Sequence, residues 1–133
     1  MKLIGIDYGT KRVGVAVSDA SGAMAFPKAV FPNNKHLLSD VAALIQKEKA
    51  DAVVVGESKN MHGEDNAIMN TVRKFADTLA RECAIPVYFE PEFYTSHEAR
   101  RLLRDAPSKR TDGTVDAQAA AVILNSYIMR HAS

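Results

Sequence analysis

Acidic residues at four places along the chain could do chemistry together. Asp7 sits inside the apolar run Leu-Ile-Gly-Ile-Asp, directly before Tyr-Gly-Thr-Lys-Arg. Glu57 follows Ala-Val-Val-Val-Gly, Glu90 and Glu92 follow Ile-Pro-Val-Tyr-Phe, and Asp116 opens an alanine-rich stretch. A carboxylate buried without a partner costs several kcal/mol, so Asp7 needs a counterpart. Carboxylates drawn into one crevice repel each other unless a cation neutralises them. Oxygen-only ligand sets favour Mg²⁺ or Mn²⁺. Such a site suits two-metal hydrolysis of a phosphodiester, in which one ion activates the attacking water and the other stabilises the leaving oxygen. Three of these acids also have a plainer role open to them. Asp116 suits the first turn of a helix, and Glu90 and Glu92 suit the polar end of a strand.

Two groups of basic residues could meet a phosphate backbone. Lys11 and Arg12 lie in the turn after Asp7, and Arg100 to Arg110 (RRLLRDAPSKR) holds five basic residues against one acid. Arg100, Arg104, Lys109 and Arg110 are the candidates for nucleic-acid contact there, the alternative being a solvated helix face and a polar loop.

Hydrophobic periodicity supplies the elements that would position these groups. Lys2 to Tyr8, Arg12 to Ser18 and Ala23 to Phe31 are β-type segments joined by turns at Gly9-Thr10-Lys11 and Asp19 to Gly22. Gly9 is expected to provide a positive φ. Such short connections predict an antiparallel meander. Leu37, Leu38, Val41, Leu44 and Ile45 recur at helical spacing, as do Val72, Phe75, Ala76 and Leu79. Ala52 to Gly56 is an unbroken apolar run, the pattern of a strand buried on both faces, and Ile85 to Glu90 is a further strand. Thr95 with Glu98 forms a capping box for a third helix running to about Asp105. A polar loop, Ala106 to Thr114, leads into a final helix, Val115 to Met129. On that helix Asp116 shares a stripe with Ala120, Ile123 and Tyr127, which turns its carboxylate toward the sheet.

The order β-β-β-α-β-α-β-α-α predicts an α/β fold, a five-stranded mixed sheet with helices on both faces. In such sheets sites form at the carboxyl ends of strands, where Asp7, Glu57 and Glu92 all fall. At 133 residues the chain is expected to form a single domain over 1–133. A net charge of +1 gives no global attraction to nucleic acid, so local patches must supply it. One cysteine, no apolar run of membrane-spanning length and no signal-peptide pattern point to a cytoplasmic protein without a membrane partner.

Other patterns fail on spacing. His97-Glu-Ala-Arg has Arg101 where a zinc-protease motif needs its second histidine. Gly56-Glu-Ser58 has Asn60 where a nucleophile elbow needs glycine. Cys83 ends a helical stripe and is expected to serve packing.

The stretches GIDYGTKRVGVAVSD, VVVG, TS with EA and LL following, and VDAQAAAVILNSYI occur in an order that resembles the YqgF (RuvX) family over essentially the whole chain. That family is described as pre-16S ribosomal RNA nucleases or Holliday-junction-resolvase-like proteins with the RNase H-like fold. The resemblance implies a divalent-metal-dependent nuclease, a hydrolase of ester bonds. It would act on ribosomal RNA precursor, at the 5′ end of pre-16S RNA, or on branched DNA, as a monomer or homodimer. It also implies that Asp7 and Asp116 are the first and last acids of the site. The family's middle motif, Asp-Glu-Arg-Leu-Thr/Ser-Thr, aligns with Pro91-Glu92-Phe93-Tyr94-Thr95-Ser96, which keeps the glutamate and loses the flanking Asp and Arg. Glu92 is therefore the expected third acid. Glu57, standing where the family has an apolar residue, is a second candidate for the same role. Two rival functions stay open. One is an inactive RNA- or junction-binding module; the other is an actin/hexokinase-type phosphotransferase, whose phosphate loop the opening motif also resembles.

Overall fold

The computed structural model describes residues 1–58, 67–92 and 114–131, and of Ser58, Glu92 and Thr114 the backbone alone. Strands β1 (Leu3–Tyr8), β2 (Arg12–Ser18) and β3 (Ala25–Pro32) form the antiparallel meander. Helix α1 (Leu37–Glu48) then crosses to β4 (Ala52–Ser58), and α2 (Met69–Cys83) crosses to β5 (Val87–Glu92). Both later strands run parallel to β1, giving one five-stranded mixed sheet of order β3-β2-β1-β4-β5. The last described helix, α3, spans Thr114–His131. The segment expected to form a helix from Thr95 to Asp105, and the loop after it, lie outside the described residues.

Strand alternation sorts the sheet into two faces. Ile4, Ile6, Val13, Val15, Val53 and Val55 are buried on the side covered by α1 and α2, against Val41, Leu44, Met69, Val72 and Leu79. Tyr8 joins that side, with its ring 5.2 Å from Phe75 of α2. Leu3, Ala16, Ala52 and Val54 face the other way, onto Ala120, Ala121, Ile123 and Leu124 of α3. Several of these positions (Ala16, Ala52, Ala120 and Ala121) are small, and α3 lies close to the sheet. A Cβ placed on Gly5 would stand 2.7 Å from Leu124 Cβ, closer than carbon atoms pack.

The turns differ in detail from expectation. Among the described glycines the positive φ falls at Gly22 (75°), not at Gly9. Gly9 is needed for a close approach instead, since a Cβ there would meet the Arg12 carbonyl oxygen at 2.5 Å. In the second turn Asp19 is the hub. Its carboxylate accepts from the Ser21 hydroxyl and the Ala23 and Met24 amides, and these bonds hold it below the usual carboxylate range. Helices α1 and α2 end in left-handed caps at Lys49 (φ 55°) and Ala84 (φ 50°), a conformation more usual for glycine. Cys83 is half-buried, and burial with Glu82 nearby pushes its thiol pKa up, away from the thiolate a nucleophile needs.

Candidate active site

Asp7 occupies the carboxyl end of β1, and its position in the strand decides which face it serves. It alternates with Leu3 and Gly5, so it belongs to the α3 face, and it is 7% exposed. Across the antiparallel ladder its partner is Gly14 of β2. Directly paired residues in such a ladder project to the same side, with Cα atoms about 5 Å apart. The space a side chain at Gly14 would fill is taken by the backbone of Asp116. A Cβ there would overlap the Asp116 carbonyl oxygen, and Ala117 N would lie at 2.9 Å. Gly14 thus lets the first turn of α3 descend onto the sheet beside the ladder partner of Asp7, which brings the backbone of an acid 109 positions away next to that strand pair.

Asp116 is held there by a counter-charge. Arg12, the first residue of β2, donates its Nε–H to Asp116 Oδ2 at 2.9 Å. The Asp116 side chain is 16% exposed and that of Arg12 52%, so the pair sits at the rim, carboxylate inward. The turn carrying Lys11 and Arg12 is fixed from β3. Asn33 donates its backbone N–H to the Lys11 carbonyl at 2.9 Å and its side-chain amide to the Gly9 carbonyl at 2.7 Å. Nothing in the local pattern around Asn33 marks it for this task, because the contact depends on where β3 ends. Lys11 is exposed beside the pair in sequence.

Register separates Glu57 from this corner. In β4, Ala52 and Val54 face α3, whereas Val53 and Val55 face α1 and α2. Glu57 continues the second series, so it lies on the opposite side of the sheet from Asp7. Gly56 is the β4 residue on the α3 side, and its partner in β5 is Glu90.

Glu90 is 2% exposed and is already committed to α3. Ser126 donates its hydroxyl to Glu90 Oε2 at 2.7 Å, and Arg130 Nη1 donates to Oε1 at 3.1 Å. Tyr88, two residues earlier, stacks on Tyr127 of α3 with ring centroids 6.0 Å apart. Burial, with Tyr88 and Glu90 nearby, raises the Tyr127 pKa. This cluster fastens the C-terminal half of α3 to β5, a structural role for the first of the two glutamates. Glu92 is the next β5 position in the same alternation, and its backbone pairs with Ser58 at the strand end.

Arg100, Arg104, Lys109 and Arg110 lie outside the described residues, as does the Glu92 side chain. Among the described residues, no group of three or more acidic, histidine or cysteine side chains gathers at one point. The described part of the corner is two carboxylates and one arginine. Its donors are all oxygen, the chemistry that Mg²⁺ or Mn²⁺ takes. A guanidinium already neutralises one of them, as a cation at that corner would.

A family model described as "RuvX: Holliday junction resolvase" matches residues 1–130. The chain belongs to the RuvX family. A relative from Nitratidesulfovibrio vulgaris (strain DSM 19637 / Miyazaki F), named "Putative pre-16S rRNA nuclease", is 42% identical over 132 residues, covering 96% of this chain and 93% of the relative. Among solved structures the chain is similar to Thermus thermophilus RuvC in complex with Holliday junction substrate. The TM-score is 0.62 at 18% identity, covering 98% of this chain and 95% of that one. The fowlpox virus Holliday junction resolvase matches with a TM-score of 0.57 at 15% identity, covering 98% and 99%. At such identities these two likenesses speak for the fold, which is RNase H-like. Family membership makes the chain a nuclease of the RuvX type, and in this member Gly14 seats the backbone of Asp116 against the strand pair that carries Asp7.

Proposed function

We propose that this chain is a Mg²⁺- or Mn²⁺-dependent nuclease that hydrolyses phosphodiester bonds at the Asp7–Asp116 corner, with residues 1–133 working as one domain. The observation that carries it is Gly14, whose missing side chain seats the first turn of α3 beside Asp7. Asp7 and Asp116 would hold the metal, and Glu92 is favoured over Glu57 as a third ligand because its backbone follows the alternation that serves the α3 face. A bound divalent cation supplies Lewis-acid stabilisation of the developing charge and an activated water. The chain's own residues do the rest. The sheet fixes Asp7 rigidly, Arg12 holds Asp116 in place before the cation binds, and Lys11 with Arg12 offers donors to a nucleic-acid backbone.

Ribosomal RNA precursor, at the 5′ end of pre-16S RNA, is the favoured substrate because the 42%-identical relative bears that name over nearly its full length. Branched DNA is the second reading, favoured by the family model's description. Acting on ribosomal RNA precursor would put the protein in the cytoplasm. Among the described residues no helix is long and apolar enough to cross a membrane. The test is a cleavage panel with Mn²⁺, Mg²⁺ or chelator, using pre-16S RNA fragments, single-stranded RNA and four-way DNA junctions. Metal-dependent cleavage of the RNA precursor that vanishes in Asp7→Asn supports the proposal. Cleavage of junctions alone moves the substrate to branched DNA. Tight, metal-independent binding without cleavage would make the protein a binding module, and stabilisation by ATP-Mg without either would favour a phosphotransferase.

A further inference from the structure

Arg12 is bonded to the carboxylate that the proposed function assigns to a metal. A guanidinium and a divalent cation compete for the same Oδ2 atom, so both cannot hold it fully at once. Among the described residues the bond is a single one through Nε, and the guanidinium carries further N–H donors suited to phosphate. The Arg12 side chain is half exposed, while its backbone is clamped. The Gly9 turn abuts the Arg12 carbonyl, and Asn33 holds Gly9 and Lys11 on either side of Thr10. The residue therefore combines a fixed root with a side chain half exposed to solvent, from which a nucleic-acid backbone would approach.

We propose that Arg12 is a metal-released phosphate clamp. It rests on Asp116 until a divalent cation takes that carboxylate, and the freed guanidinium then engages a backbone phosphate of the substrate. The inference rests on the metal-dependent reading above. Its consequence is positive coupling: the cation raises affinity for nucleic acid partly by freeing Arg12, and by linkage nucleic acid raises affinity for the cation. A half-exposed ion pair is weak, so the exchange needs little driving force.

The coupling is measured without turnover. Mn²⁺ binding is titrated by electron paramagnetic resonance in wild type, Arg12→Gln, Arg12→Lys and Asp116→Asn, with melting temperature recorded to establish folding. Binding of single-stranded RNA is followed at several salt concentrations with chelator or with Ca²⁺. Arg12→Gln is expected to bind Mn²⁺ about fivefold more tightly than wild type, because no guanidinium competes. Arg12→Lys, which keeps the charge, should stay within about twofold of wild type. With Ca²⁺, Arg12→Gln should bind RNA more weakly and with a salt slope shallower by about 0.7, the loss of one single-strand phosphate contact. With chelator the two proteins should have the same slope. Unchanged or weaker Mn²⁺ binding by Arg12→Gln, where wild type binds and Asp116→Asn does not, overturns the clamp and leaves the metal site standing. The same slope difference with and without Ca²⁺ also overturns it, since Arg12 would then be a permanent phosphate contact. Absence of Mn²⁺ binding in both wild type and Arg12→Gln overturns the metal reading and the clamp with it.

Discussion

The two faces of one sheet carry different kinds of residue. Toward α1 and α2 it presents branched aliphatic side chains, Ile4, Ile6, Val13, Val15, Val53 and Val55, all buried. Toward α3 it presents Gly5, Gly14, Ala16, Ala52 and Gly56 beside Leu3 and Val54, together with Asp7, Ser18 and Glu90, the buried polar residues among those described. The first face is built for hydrophobic stabilisation, at roughly 25 cal/mol per Å² of apolar surface removed from water. The second gives up side-chain volume so that a helix can approach closely, and each polar group buried there must be satisfied. Ser18 is satisfied by its own strand pair, accepting from Leu3 N–H and donating to the Asp19 carbonyl. Glu90 is satisfied by α3. The site proposed above lies on the second face, where backbone proximity rather than packed volume sets the geometry.

Substitutions on the two faces should therefore differ in kind. Gly14→Ala should have the largest effect, because its Cβ would overlap a backbone carbonyl that cannot rotate away. Overpacking of this sort should cost about 3 kcal/mol or more by chemical denaturation. Any folded fraction should have lost Mn²⁺ affinity, because α3 has been pushed from Asp7. Glu90→Gln should be milder, at roughly 1–2 kcal/mol, since it weakens a charge-assisted bond to Arg130 and leaves that half-exposed arginine in water. Its Mn²⁺ affinity should hold, which would separate the structural glutamate from the proposed catalytic acids. Ile4→Val on the aliphatic face should cost about 0.5–1.5 kcal/mol, with metal binding and cleavage unchanged. Ala84→Gly should act in the other direction. It relieves a left-handed cap at the end of the sheet remote from Asp7 and should stabilise the fold by about 0.5–1 kcal/mol.

Much of this arrangement could be read from the chain. The meander followed from short connections, β4 from an unbroken apolar run, β5 from Ile85 to Glu90 although it begins at Val87 and runs to Glu92, and α3 from a periodic stripe that already turned Asp116 toward the sheet. Family motifs marked both acids. The parts that were not legible are those decided by distant contacts. The Gly14–Asp116 approach and the Arg12–Asp116 ion pair each join residues about a hundred positions apart, and no local pattern encodes them. Glu57 shows a different limit. A strand buried on both faces has no polar alternation, so Ala-Val-Val-Val-Gly does not reveal which side the next residue takes. Only the sorting of Val53 and Val55 against Val54 does. Gly9 shows a third. A glycine in a tight turn signals either a positive φ or a close approach, and the residue type is the same for both.

The central claim is that the α3 face alone carries the metal, and it is tested most directly by Mn²⁺ binding to three charge-neutralised proteins. Asp7→Asn and Asp116→Asn should each weaken binding by more than about tenfold while retaining a cooperative melting transition, and Glu57→Gln should bind as wild type does. Equal loss in Glu57→Gln, or wild-type binding in Asp7→Asn, would contradict it.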